Sequence, residues 1–404
     1  MRQRLTARLG RRTIQSLALA SAAAVVLAAC STGSKADSGS DLSGSGGKNG
    51  KSAAIVVAPG TDSAKIPVSR KVTVRAEGGS LTSVEVTSPG PGKLSGTWSK
   101  DRSAWTSTTP LAPGATYTVK AKGRASGGSA LSKTASFSTE ASKNTFVGEY
   151  YPDKGAKVGV AMPVSITFNK PVHDKAAVER RLKVTASPAI EGAWSWMKDR
   201  DGKDRIDYRP EKYWKPGSKV TLRMDLAGVN AGGGMYGTQQ RVVNFTIGDA
   251  VTSTVDTKKK TMTVAKNGKA LRTLKVSTGK KGFETWNGTM VVLSKVPTIR
   301  MNSDTVGIFG PEAYDLGAVK WDVQLTPSGT YAHAAPWNAG KFGVVNGSHG
   351  CIGMSTSDAK WFYNQVHLGD PVTVVNSVDT VATNNGYGDW NVDWAAWKKG
   401  SALA

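Results

Sequence analysis

From Ser52 to Gly248 apolar and polar residues alternate in short runs between turn formers, as in Lys71-Val72-Thr73-Val74-Arg75, Tyr117-Thr118-Val119-Lys120 and Val164-Ser165-Ile166-Thr167-Phe168. A strand turns successive side chains to opposite faces, so this period of two puts one face on a core and the other in water. Strands this short and this closely spaced predict antiparallel sandwiches. A fresh set begins near Val251, where Thr261-Met262-Thr263-Val264-Ala265 and Leu271-Arg272-Thr273-Leu274-Lys275-Val276 flank Asn267-Gly268, a pair suited to a tight hairpin. The period changes after Ser355. Ala359, Phe362, Tyr363 and Val366 share one helical face, Ser355 and Asp358 offer the cap, and the helix ends before Gly369. Pro371 to Val375 reads as a closing strand, and Trp390, Trp394 and Trp397 are expected to pack back onto this last, mainly β domain.

The alternating region contains a repeat. Leu94-Ser95-Gly96-Thr97-Trp98-Ser99 followed by Leu111-Ala112-Pro113-Gly114-Ala115-Thr116-Tyr117-Thr118-Val119 recurs as Glu191-Gly192-Ala193-Trp194-Ser195 followed by Trp214-Lys215-Pro216-Gly217-Ser218-Lys219-Val220. Two related modules of about 100 residues follow, a length that suits immunoglobulin-like sandwiches. Neither has the cysteine pair of antibody domains, and their tryptophans are read as core. No grouping of histidines and carboxylates in them supports chemistry, so they read as spacers. The expected organisation is residues 52–142 and 143–249 as the two sandwiches, 250–378 as the last domain and 379–404 as a tail.

The N-terminus has a different character. Arg2, Arg4, Arg8, Arg11 and Arg12 precede an apolar stretch from Leu17 to Ala29, too short to span a bilayer comfortably. Leu27-Ala28-Ala29-Cys30 looks like a bacterial lipobox, making 1–29 a removable signal peptide and Cys30 a lipidated first residue; an ordinary small-residue cleavage site and a twin-arginine signal are the other readings. Six glycines and six serines between Ser31 and Gly50 make residues 30–51 a flexible linker, spanning about 25 Å by random-coil scaling. The net charge is +23, and the leader holds five arginines and no acids, which leaves 23 less 5, or +18, from Cys30 onward. Basic residues are scattered rather than clustered. An exported, membrane-tethered chain of this charge meets anionic wall polymers and lipid head groups, and nucleic-acid binding is excluded as its role.

With Cys30 lipidated, the other cysteine has no partner in the chain. Cys351 lies in Ser348-His349-Gly350-Cys351-Ile352-Gly353-Met354, with His333 eighteen residues upstream. Acyl transfer by cysteine needs a sulfur nucleophile, a base for its proton and donors for the oxyanion. Cys351 supplies the sulfur, His333 or His349 the base, and a pairing with imidazolium would lower the thiol pKa. Gly350 leaves room for a reacting carbonyl, with a backbone amide aimed at the oxyanion. A structural zinc site wants four ligands, and His367 lies at the far end of the helix, so no metal is expected.

Tyr331-Ala332-His333-Ala334-Ala335-Pro336-Trp337, then Ser348-His349-Gly350-Cys351, then Trp361-Phe362-Tyr363 resemble the catalytic domain of the L,D-transpeptidases, the YkuD-like enzymes that cross-link peptidoglycan. The whole chain resembles their actinobacterial lipoprotein form, whose fold is two immunoglobulin-like β-sandwiches before a catalytic β-sandwich-like domain with a short helix and a tail like Gly386-Tyr387-Gly388-Asp389-Trp390-Asn391. The resemblance implies Cys351 as nucleophile, His333 as base, His349 as an orienting neighbour, Ser348 as support for the turn, and Tyr314 on a lid where it polarises the carbonyl. It places Met301, Tyr331, Trp337 and Ser348 on the substrate path. It implies 3-to-3 cross-links made on stem peptides through a thioester with release of D-alanine, no cofactor, and acylation by carbapenems. Gly353 departs from the family, where asparagine or arginine often follows Gly-Cys-hydrophobic. An L,D-carboxypeptidase using the same residues and an inactive wall-binding lipoprotein remain the alternatives.

Overall fold

The computed structural model describes residues 52–89 and 92–404, which form one compact unit built around three apolar cores. The leader, Cys30 and almost all of the linker lie outside the described residues.

The first core, including Val74, Leu81, Trp105, Tyr117 and Phe137, lies between two sheets. One orders Ala54–Ala58, Thr73–Glu77, Ala104–Ser107 and Gly96–Trp98; the other orders Ser63–Ile66, Ala130–Thr139, Thr116–Ala125, Gly79–Ser88 and Gly92–Lys93. The second core, including Ile166, Phe168, Trp214 and Phe245, repeats the plan. Gly148–Tyr151, Val164–Phe168, Asp204–Pro210 and Gly192–Lys198 face Lys157–Val158, Gln240–Ile247, Lys219–Asp225 and Leu182–Ser187. The sequence repeat falls on equivalent places: Gly96–Trp98 and Gly192–Lys198 are edge strands, and Gly114 and Gly217, at φ of 61° and 77°, turn the chain into equivalent central strands. Trp105, Trp194 and Trp214 are buried as expected, whereas Trp98 stays partly exposed.

The sandwiches are not wholly antiparallel. Ser63–Ile66 runs parallel to Ala130–Thr139, and Lys157–Val158 parallel to Gln240–Ile247. In each, the chain crosses from one sheet to the edge of the other before turning back, and so enters that edge alongside the closing strand instead of against it.

The third core lies between the sheet Lys269–Lys275, Thr261–Lys266, Val251–Asp256, Pro371–Val375, Gly288–Val291 and the sheet Ser294–Asn302, Asp315–Gln324, Tyr331–Ala334, Ile352–Met354. Asn267 and Gly268 turn the predicted hairpin at φ of 49° and 81°. The helix Thr356–Gln365 is capped by Ser355, whose Oγ accepts from the Asp358 amide at 3.1 Å, and it buries Ala359 and Phe362 in this core.

The tail reaches further than expected. Asn391 binds both backbone groups of Thr289 in the third part, but Trp397 Nε1 donates to Ala193 O at 2.9 Å and Trp390 Nε1 to Ala161 O at 2.8 Å in the second sandwich. The cause is Arg209. Its guanidinium lies 4.9, 5.4 and 4.5 Å from the ring centres of Trp390, Trp394 and Trp397, a cation–π cluster on the sandwich side. Beside it, buried Arg205 pairs with Asp207 of its own strand and Asp389 of the tail, and donates to Gly386 O at 3.0 Å.

Candidate active site

The site is built on the parallel pair Tyr331–Ala334 and Ile352–Met354, where Ala332 pairs with Ile352 and His333 with Gly353. Ala332, Ala334, Ile352 and Met354 all point into the third core. By strand alternation His333, Gly353 and Cys351 fall on the opposite face. There a cavity of about 250 Å³ collects Cys351, His333, His349, Ser348, Trp337, Tyr314 and Met301.

The turn into Cys351 is held locally. Gly350 sits at φ 110°, where a side chain would be strained, and its carbonyl accepts from Thr285 Oγ1 at 2.8 Å. Ser348 Oγ accepts from the Gly350 amide at 3.2 Å and donates to Cys351 O at 2.6 Å, clamping both sides of Cys351. A Cβ on Gly353 would stand 3.1 Å from that of Ala335, so the residue that departs from the family pattern fits a close approach of two chain segments.

His333 Nδ1 lies 2.8 Å from Ala334 O. A carbonyl only accepts, so Nδ1 carries the hydrogen and Nε2 is left as the basic nitrogen. His349 Nε2 donates to Glu312 Oε2 at 2.7 Å, and Glu312 also binds Lys280 at 2.6 Å. The His349 ring is flanked by Phe283 and Tyr314, with ring centres 4.7 and 5.2 Å away. Tyr314 and His349 also line a second cavity of about 340 Å³, and it is this one that Gly350 borders. Tyr331 lines neither; its contribution is its backbone N–H, which is directed at the Cys351 sulfur.

The electrostatics correct one expectation. Burial pushes the Cys351 thiol up to about 11, the Tyr331 amide works against that, and a charge on Asp322 adds to it. Burial also lowers His333. Burial disfavours the charged form of both groups and so favours neutral thiol and neutral imidazole over thiolate and imidazolium. Tyr314, half-buried and near Cys351, is raised and stays a neutral phenol.

Sequence reasoning missed Glu312, Thr285 and Asp322. Glu312 lies 37 residues from the histidine it holds, and no spacing announces the pair. Among the described residues no group of three or more His, Cys, Asp or Glu side chains is arranged to hold a metal ion, and His367 lies against Asp370 at 3.5 Å.

Comparison with known proteins agrees with this geometry. Residues 63–230 match the bacterial Ig domain and residues 250–374 the L,D-transpeptidase catalytic domain. L,D-transpeptidase 2 of Mycobacterium tuberculosis is 36% identical over 342 residues, 84% of this chain and 82% of that protein. L,D-transpeptidase 5 of the same organism is 31% identical over 349 residues, 85% and 76% of the two chains. A solved L,D-transpeptidase in complex with imipenem is 33% identical, covers 58% of this chain and 100% of its own, and superposes with a TM-score of 0.50. With a catalytic-domain match that spans the His333 and Cys351 strands and a relative this similar over most of both lengths, the chain belongs to the L,D-transpeptidase family.

Proposed function

We propose that the chain forms 3-to-3 cross-links in peptidoglycan, with Cys351 as nucleophile and His333 as general base. The observation that carries this reading is the placement of the two side chains on one sheet face, opening into one cavity. Cys351 Sγ attacks the carbonyl of the third residue of a tetrapeptide stem while its proton passes to His333 Nε2. The carbonyl π pair moves to oxygen, which the Tyr314 hydroxyl and a backbone amide of the Gly350–Cys351 turn stabilise. Collapse expels D-alanine, whose amine takes the proton from His333, and leaves a thioester. The side-chain amine of a second stem then attacks the thioester and gives its proton to His333, which passes it to the departing sulfur, so that amide, thiol and neutral imidazole are left. A neutral resting pair fits this cycle, since the base must be unprotonated when the thiol attacks.

The second cavity beyond Tyr314 and His349 supports transfer over hydrolysis, because it offers a separate approach for the amine. Water as acceptor, giving an L,D-carboxypeptidase, would use the same residues. The reading further places the protein outside the cytoplasmic membrane, anchored through lipid on Cys30 and drawn to anionic wall polymers by its charge.

Intact-mass measurement after incubation with a carbapenem is the direct test. Wild type should gain one adduct and folded Cys351→Ala none; an adduct on the variant defeats the assignment. Purified tetrapeptide stems should then yield cross-linked dimer and free D-alanine, whereas tripeptide alone would establish hydrolysis. Cys30→Ala should move the protein from membrane to soluble fraction, and unchanged fractionation would remove the anchor.

A further inference from the structure

Asp322 belongs to the strand Asp315–Gln324, in which Val323 pairs with Ala332 and Gln324 with Tyr331. One step further along the same antiparallel register, Asp322 comes opposite His333. Val323 and Ala332 are both fully buried in the third core, so the alternation turns Asp322 and His333 to the other face, that of Cys351. Asp322 is 0% exposed, and among the described residues neither carboxyl oxygen has a hydrogen-bond partner. Burial pushes this carboxyl up to about 7, opposed only by its own backbone amide. Its charge reaches two groups of the site, the Cys351 thiol and the Tyr331 phenol.

Among the described residues no basic side chain pairs with it. On the neighbouring strand Ser294–Asn302 its partner is Val296; the ammonium of Lys295 is bound to Val366 O at 2.6 Å, and Lys320 on its own strand is exposed. On the other side its charge reaches Tyr331 and Cys351, and His333 stands opposite it by the continued register. A buried carboxyl without partners costs stability, and such groups are retained where they serve a site.

We propose that Asp322 is a positioning residue for acyl transfer, its carboxylate opposing the positive charge that His333 acquires when it takes the Cys351 proton. The proposal rests on His333 as the base. The same anion disfavours a free thiolate, but that charge vanishes as the sulfur–carbon bond forms, whereas the imidazolium persists until the leaving amine takes the proton. The anion therefore favours concerted attack from a neutral pair and holds the charged base through the tetrahedral intermediate.

The test compares the full-length chain with Asp322→Asn, Asp322→Leu and His333→Ala, following carbapenem acylation from pH 5 to 9 and thermal unfolding. Wild-type acylation should rise through an inflection near pH 7. Both Asp322 variants should lose that inflection, acylate about tenfold more slowly at pH 8 and match wild type at pH 5. The folded pKa is raised, so wild-type stability should fall as pH rises from about 4 to about 7, and the variants should unfold at higher temperature at pH 8. A structural role alone would lower stability and leave the profile unmoved. Folded variants with the wild-type rate and inflection would overturn the proposal, as would the lack of an inflection near pH 7 in wild type should the variants not fold. Wild-type rates in His333→Ala would instead remove the base assignment.

Discussion

His349 donates to the Glu312 carboxylate at 2.7 Å, which ties the turn carrying Cys351 to the segment that carries Tyr314. The tie is a pair of charge-assisted bonds, since Lys280 binds the same carboxylate oxygen. Lys280 first and His349 second hold Glu312 below the usual carboxylate range, so the tie is lost only when pH falls through that lowered value.

Glu312→Gln should therefore slow carbapenem acylation about threefold to tenfold across pH 6 to 9, with the fold intact, because the segment that carries Tyr314 loses one anchor and not Tyr314 itself. Stopped-flow acylation against circular dichroism checks this. A rate equal to wild type would show that this segment is positioned without the tie.

Ser348→Ala removes the oxygen that binds both the Gly350 amide and the Cys351 carbonyl. Leaving those groups unpaired near the nucleophile is worth about 1–3 kcal/mol, or about tenfold to a hundredfold in acylation rate. The Tm should fall little. A large loss of Tm with an unchanged rate per folded molecule would assign Ser348 to stability alone.

The state of the thiol can be measured directly. With Cys351 pushed up to about 11, iodoacetamide should alkylate the free enzyme slowly at pH 7 and about tenfold faster per pH unit up to that value. Carbapenem acylation, with His333 as the proposed base, should vary far less with pH. Alkylation already at its plateau by pH 6 would mean that thiolate and imidazolium are the resting pair.

Much of this was legible in the chain. Asn267-Gly268 names its own turn, the Ser355 cap and the helix behind it are local, and His333 with Cys351 stand out because a rare residue type recurs in a tight motif. What stayed hidden depends on pairing across strands. Asp322 occupies the polar slot of an alternating strand, which normally means water; here that slot is closed off from water. The pairing of Glu312 with His349 arises only when two distant loops meet. The parallel edges needed the path of the crossing chain, and the protonation of Cys351 needed its burial, neither of which is written in spacing.

Arg205→Met should be among the more damaging changes outside the site. It would strip buried Asp207 of its cation, and losing one partner of such a buried pair costs about 3–5 kcal/mol. Calorimetry should show a lower Tm, and limited proteolysis should cut the tail beyond Val381 first. A wild-type melt would mean that Arg209 and the tryptophans hold the tail unaided.

That tail has a mechanical meaning. Because Arg205, Arg209, Trp390 and Trp397 fasten the last residues of the chain to the second sandwich while Asn391 grips the catalytic part, the joint between the two is splinted from outside. The second sandwich and the catalytic sheets are then held as one body, so the reach and angle at which the cavity is presented are set by the sandwich's geometry, not by a swivel beneath the site.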